Sequence, residues 1–119
     1  MRKAGPETPA IRLRRRGARV SGGPWTLCGD RARVAHGQLI IALGRAAGGA
    51  VTRSRIRRIA REVLAHGCDA TGGIDLLLLA RADVSRQARR QVRASLADLL
   101  SRFCAVLARR ETGGKATHG

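Results

Sequence analysis

The segment Ile74–Ala80, IDLLLLA, limits the fold most tightly, because six of its seven residues are apolar. A strand with one solvent-exposed face alternates apolar and polar residues, whereas a strand buried on both faces is apolar almost throughout. We therefore predict a strand that is covered on both faces. Asp75 is its one polar residue, and no second carboxylate lies near it in the sequence.

Capping residues and apolar periodicity predict three helices. In TPAIRLRRRG, Thr8 is the expected cap, Pro9 occupies the first turn and Gly17 ends the helix. A second helix is predicted from about Thr52 to His66, with Thr52 as its cap. Ser85 is the expected cap of a long third helix, whose buried stripe comprises Val92, Leu96, Leu99, Leu100, Phe103 and Leu107.

Strand candidates lie at 24–28 and 38–43, with a weaker one near 32–35, and residues 66–73 read as a loop. At 119 residues the chain forms one domain, and the order of elements predicts an α+β fold with helices packed on one sheet. The expected division is a flexible N-terminus at 1–8, a folded domain at 9–110 and a disordered tail at 111–119.

The net charge of +16 indicates a polyanionic partner, because such an excess repels itself in a folded chain. All but two of the 24 basic residues are arginine, whose planar fork suits phosphate oxygens. The longest apolar run is too short to cross a membrane, and the first ten residues do not resemble a signal peptide. We expect a cytoplasmic protein whose three cysteines are reduced.

Several common chemistries lack their residues. Gly44 and Gly49 have P-loop spacing, but Ala50 and Val51 stand where Lys and Ser or Thr are needed. His66 and Cys68 lack a second ligand pair, so we predict no metal site. Glu62 is most simply an ion-pair partner of Arg58, one turn earlier. No catalytic set stands out.

The remaining strong feature is a row of arginines in GGAVTRSRIRRIARE, residues 48–62. Positions 53, 57 and 61 are one turn apart, as are 54 and 58, and apolar residues occupy the other side. Arg53 and Arg55 are expected in the first turn, where a cation is disfavoured by about 0.3–1 kcal/mol. Free N–H groups and guanidinium groups there would together bind phosphate, so we predict a nucleic-acid interface rather than a solvated basic face.

This stretch resembles the signature of the bacterial ribonuclease P protein component, in which a glycine-containing bend precedes Ala-Val-x-Arg-Asn-Arg-x-x-Arg and a later Arg-Glu. Ser54 replaces the Asn. IDLLLLAR also resembles a strand of that family, and LRRRGARVSGGPWTLC aligns loosely with its first helix and strand. The matching positions are Ala50, Val51, Arg53, Arg55, Arg58, Arg61 and Glu62.

The resemblance implies the order α-β-β-β-α-β-α around a four-stranded mixed sheet, with a left-handed parallel connection, an exception to the usual rule. It also implies a catalytic RNA partner that performs hydrolysis with Mg²⁺, while the protein binds that RNA and the 5′ leader of precursor tRNA. One protein per RNA and no membrane association are expected. The residues implied to face the RNA are Arg45, Arg53, Ser54, Arg55, Arg57, Arg58 and Arg61.

The implied leader cleft lies between the sheet and the first helix, and its candidate residues are Arg14, Arg15, Arg16, Thr26 and Cys28. Aromatic residues that line this cleft in the family are replaced here, and Trp25 is expected to pack inward with Leu27. In the family this strand ends in Ser-Lys-Lys, whereas the corresponding residues here are Gly44, Arg45 and Ala46. A ribosome-associated structural RNA-binding protein and a free-standing nuclease are the alternative functions.

Overall fold

The computed structural model describes residues 8–32, 37–69 and 73–118, and the side chains of all of these except 66–69 and 112–118. Three helices and four strands follow one another along the chain in the order α-β-β-β-α-β-α that the resemblance implied. They are α1 (Pro9–Arg16), β1 (Ala18–Gly22), β2 (Trp25–Arg31), β3 (Leu39–Ala42), α2 (Ala50–Asp69), β4 (Ile74–Ala80) and α3 (Arg89–His118), with a short 3-10 turn, Arg45–Ala47, before α2.

The four strands form one mixed sheet in the order β1-β2-β4-β3. Strand β2 is antiparallel to both β1 and β4, whereas β3 and β4 are parallel neighbours joined through α2. The predicted α+β architecture is therefore confirmed. Within the described part of the chain, no helix combines the length and apolar composition needed to cross a bilayer.

Both faces of β4 are covered, as its composition predicted. Leu76 and Leu78 join the larger core cluster, which includes apolar residues of α2 and α3. Leu77 points to the opposite face, where it packs with Leu13 of α1 and Cys28 of β2. The alternation of side chains along a strand divides the apolar residues between the two layers. Helix α1 thus covers one face of the sheet, and α2 and α3 cover the other.

Helix α1 has the predicted boundaries. The Thr8 hydroxyl accepts a hydrogen bond from the Ile11 N–H at 3.2 Å, and Pro9 occupies the first turn, where its missing N–H costs nothing. Gly17 ends the helix by donating its N–H to the Leu13 carbonyl. Capping by local side chains explains why this short helix could be read from the sequence.

Two strand predictions differ from the structure. Residues 18–22 form β1, which the sequence analysis missed because ARVSG contains little apolar surface. The weaker strand candidate at 32–35 begins at Ala32, which lies outside any strand, and its other residues fall outside the described part of the chain. Strand β1 pairs with β2 through a tight turn containing Gly23, whose φ of 55° suits glycine.

The predicted caps of α2 and α3 were wrong. Helix α2 begins at Ala50, and the Arg53 N–H donates to the Gly49 carbonyl, which places Thr52 inside the first turn. Helix α3 begins at Arg89 rather than after Ser85. The Gln91 side chain accepts from the N–H of Ala88 at 3.0 Å, as the fourth residue of a capping box does.

Both helices also extend further than predicted. Helix α2 continues to Asp69, across the start of the segment 66–73 that was expected to be a loop. Helix α3 runs to His118, beyond the expected domain end at residue 110. Glu111 accepts two hydrogen bonds from the Arg31 guanidinium, at 2.7 and 2.9 Å, so this part of α3 contacts the end of β2.

Candidate nucleic-acid interface

Helix α2 separates an apolar side from an arginine side, as its periodicity predicted. Ile56, Ile59, Ala60 and Leu64 are buried against the sheet and α3. The other side carries what we call the arginine ridge. Within the ridge, Ser54, Arg58 and Arg61 are exposed and Arg53, Arg55 and Arg57 are half-buried.

The start of the ridge lies deeper in the helix than the sequence suggested. Because α2 begins at Ala50, Arg53 is its fourth residue and Arg55 lies in the second turn. Only Arg53 therefore lies near the positive end of the helix dipole. Its Nε atom is buried and has no hydrogen-bond partner among the described residues. Arg45 is exposed in the 3-10 turn that precedes the helix.

A groove of about 470 Å³ runs between the arginine ridge and the first turns of α3. Arg55 and Arg58 line it from α2, and Arg89 and Arg93 line it from α3. Nothing in the sequence connects Arg89 and Arg93 of the last helix with the ridge. Their approach depends on how two helices pack, which periodicity within each helix does not reveal.

Glu62 pairs across this groove, so its predicted pairing with Arg58 is wrong. Its carboxylate accepts a hydrogen bond of 2.6 Å from Arg93 on α3. A second hollow, of about 410 Å³, lies on the other side of Arg58 and is lined by Arg57 and Arg61. Among the described residues that line the two hollows, Glu62 is the only carboxylate.

Other carboxylates are paired with arginines away from the ridge. Asp75 pairs with Arg12, Glu111 with Arg31, and Asp98 with Arg102. The hydrogen bonds that Ser85 donates lower the pKa of the Asp83 carboxyl below its ordinary value. The carboxylates therefore neutralise arginines mainly in other parts of the fold, and the face formed by α2 and the start of α3 retains most of its positive charge.

The predicted leader-cleft residues divide into exposed and buried groups. Arg14, Arg15 and Arg16 are exposed at the end of α1. Thr26 is only 4% exposed and Cys28 is fully buried, so the structure gives neither a surface that could line a cleft. Cys28 packs with Leu13 beneath α1. The Thr26 hydroxyl lies 3.2 Å from that of Ser21 in the neighbouring strand β1.

The basic surface at the end of α1 includes residues from other elements. Arg19 of β1 donates to the Arg14 carbonyl at 3.1 Å, and Arg110 of α3 donates to the Arg16 carbonyl at 2.8 Å. Guanidinium groups satisfy carbonyls at the negative end of a helix dipole. Trp25 is buried with Leu27 in the larger core cluster, which confirms its inward orientation.

The described residues lack a cluster of metal-ligating side chains. No group of three or more His, Cys, Asp or Glu side chains among them could hold an ion. The side chains of His66 and Cys68 lie outside the described part of the chain. Cys28 and Cys104 are free thiols. The chemistry that this surface supports is the binding of an anionic polymer by guanidinium groups.

Known proteins resemble this chain in family signature and in fold. The family model described as Ribonuclease P matches residues 11–104. No significant match was found among curated protein sequences. The fold is similar to that of the ribonuclease P protein of Staphylococcus aureus, with 23% identity and a TM-score of 0.69 over 81% of this chain and 88% of that one.

Two structures of the ribonuclease P protein from Thermotoga maritima show the same likeness. Each shares 22% identity with this chain and covers 76% of it, with TM-scores of 0.64 and 0.62 over 89% and 86% of their own chains. The first of these holds 1-(4-fluorophenyl)-2-thiourea. The match across residues 11–104, together with the α-β-β-β-α-β-α order, shows that the chain belongs to the bacterial ribonuclease P protein family.

Proposed function

We propose that this chain, as the protein subunit of ribonuclease P, binds the catalytic RNA through the arginine ridge of α2. In this proposal it also holds the 5′ leader of precursor tRNA while that leader is removed. One protein binds one RNA. The proposal rests on family membership for the assembly and on the charge of the ridge for the residues that make contact.

The observation that carries the proposal is the lack of neutralising carboxylates along the ridge. The side chains of Arg58 and Arg61 are exposed, and neither side chain forms a hydrogen bond or ion pair with another described residue. A protein gains little stability from guanidinium groups left in water, but each can make charge-assisted hydrogen bonds to phosphate. Concave surfaces on both sides of Arg58 offer room for an RNA backbone.

Hydrolysis is assigned to the RNA subunit and its Mg²⁺ ions. Magnesium binds oxygen ligands, and in proteins carboxylates supply them. Of the six carboxylates whose side chains are described, Asp75, Glu62, Asp98 and Glu111 each form an ion pair with an arginine. Asp30 and Asp83 each accept a backbone N–H, and the described residues contain no cluster of three ligating side chains. The protein therefore contributes positive charge and position, and we assign no step of the reaction to its side chains.

The 5′ leader is assigned to the basic end of α1. Arg14, Arg15 and Arg16 are exposed there, and Arg19 and Arg110 lie against the last carbonyls of the helix. Because Thr26 and Cys28 are buried, the contact would be made by side chains on α1 rather than by the sheet beneath it. Such a surface would bind a single strand mainly through its phosphates.

Reconstitution tests this function. The purified chain is mixed with a bacterial ribonuclease P RNA and precursor tRNA at a low Mg²⁺ concentration at which the RNA alone is nearly inactive. The proposal requires accurate 5′ cleavage that depends on both components, and mass measurement of the complex should give one protein per RNA. RNA binding without stimulated cleavage would favour a ribosome-associated structural protein. Cleavage by the chain alone would indicate a free-standing nuclease.

A further inference from the structure

The groove between α2 and α3 has two walls of the same charge. Arg89 and Arg93 are one turn apart on α3 and face Arg55 and Arg58 on α2. Four arginines therefore line the groove against one carboxylate, that of Glu62. Like charges placed on facing walls repel each other, and a polyanion between them removes the repulsion.

Apolar side chains also line the groove. Val51 is 85% exposed, and Ala50 and Ile59 line the groove with it. A surface that combines guanidinium groups with apolar side chains matches a sugar–phosphate chain, whose charged phosphates alternate with less polar ribose. An acidic protein segment would form the same bidentate contacts with arginine, but membership of the ribonuclease P family implies an RNA partner.

Two contacts link groove residues to neighbouring groups, and together they offset only one of the four positive charges. Arg93 donates to Glu62 at 2.6 Å, although both side chains are 52% exposed, and Arg55 reaches the Ser85 carbonyl at 3.5 Å. An exposed ion pair contributes little to stability, so its main effect is to orient Arg93 over the groove. A guanidinium has five N–H donors, which leaves donors of Arg93 available to a ligand.

We propose that an RNA backbone lies in this groove, with Arg89 and Arg93 of α3 as phosphate-binding residues. The inference rests on the proposed function and extends the RNA contact from the ridge of α2 to a second helix. Glu62 acts as a positioning residue that orients Arg93. The bound segment is RNA of the ribonuclease P complex, recognised by its phosphates rather than by its bases.

The test compares two double variants with the same loss of charge. Arg89→Gln with Arg93→Gln removes the α3 wall, whereas Arg90→Gln with Arg109→Gln removes two exposed arginines of α3 that do not line the groove. Affinity for a bacterial ribonuclease P RNA is measured at several salt concentrations. For the groove variant, the slope of log affinity against log salt should fall by about 1 per residue. The control should retain nearly the wild-type slope.

A third variant tests whether loss of the Glu62–Arg93 ion pair, rather than loss of the arginines, weakens RNA binding. Glu62→Gln removes the negative charge, leaves all four arginines and keeps a side-chain oxygen that can still accept from Arg93, so RNA should bind at least as tightly as to the wild type. Equal weakening by both double variants would show a general charge effect and overturn the inference. An unchanged affinity in the groove variant would also overturn it, and would point to an acidic protein segment as the occupant. Failure of the wild-type chain to bind the RNA would overturn the proposed function itself.

Discussion

Arg12 of α1 donates a hydrogen bond of 2.6 Å to the carboxylate of Asp75 in β4, although 63 residues separate them. Their side chains are only 9% and 5% exposed. The other carboxylate oxygen accepts the N–H of Gln38, immediately before β3, at 3.0 Å. One buried carboxylate therefore joins α1, β4 and the start of β3, and it fixes the helix that carries the proposed leader-binding arginines.

Asp75→Asn is expected to lower the free energy of unfolding by about 3–5 kcal/mol, because it leaves the Arg12 guanidinium buried without a counter-charge. Asparagine can still accept the Gln38 N–H, so the loss reports the ion pair. Chemical denaturation measures it. Adding Arg12→Leu should restore most of the stability, since an apolar side chain of similar size needs no partner. A double variant as unstable as Asp75→Asn would contradict this explanation.

Gly29→Ala is expected to destabilise the fold by about 1–3 kcal/mol through overpacking. A Cβ atom at this position in β2 would lie 2.6 Å from the Phe103 ring and 2.7 Å from the Asp75 carbonyl oxygen. Gly44→Ala is the matched control, because a Cβ atom there would have no atom within 4 Å. Thermal unfolding should show a clear loss for the first variant and a change within about 1 kcal/mol for the second.

Arg58→Gln with Arg61→Gln is expected to weaken binding of the ribonuclease P RNA while the fold remains intact. Both side chains are exposed, and substitutions at such sites usually change stability by less than about 0.5 kcal/mol. The salt slope of RNA affinity should fall by about 2 if each arginine meets one phosphate. Circular dichroism checks the fold. An unchanged slope would show that the exposed part of the ridge faces away from the RNA.

Leader binding is expected to depend strongly on salt. Trp25 and Phe103, the only Trp, Tyr or Phe residues of the chain, are buried, so leader bases cannot stack on these rings. Stacking would contribute about 1–3 kcal/mol per base with little dependence on salt, whereas each phosphate neutralised on a single strand adds about −0.7 to the log–log slope. The ratio of holoenzyme affinities for precursor and mature tRNA, measured against salt, isolates the leader. A flat ratio would refute the prediction.

Local patterns predicted much of the fold. The apolar run of β4, the Thr8 cap of α1 and the buried stripe of α3 are each visible as a pattern of nearby residues in the sequence, and the structure confirms them. Strand β1 was missed because its stability comes from pairing with β2 rather than from its own composition. The caps of α2 and α3 were misplaced because Thr52 and Ser85 resemble cap residues, but the backbone and Gln91 supply the actual contacts.

The sequence by itself determined that an arginine row lies opposite the apolar face of α2, because helical periodicity places side chains without reference to the rest of the chain. Only the tertiary structure decided which charges remain available. Glu62 reaches Arg93 rather than its helical neighbour Arg58, and Asp75 reaches Arg12 from another element. The physical reason is that an ion pair depends on distance in space, and packing the helices on the sheet sets that distance.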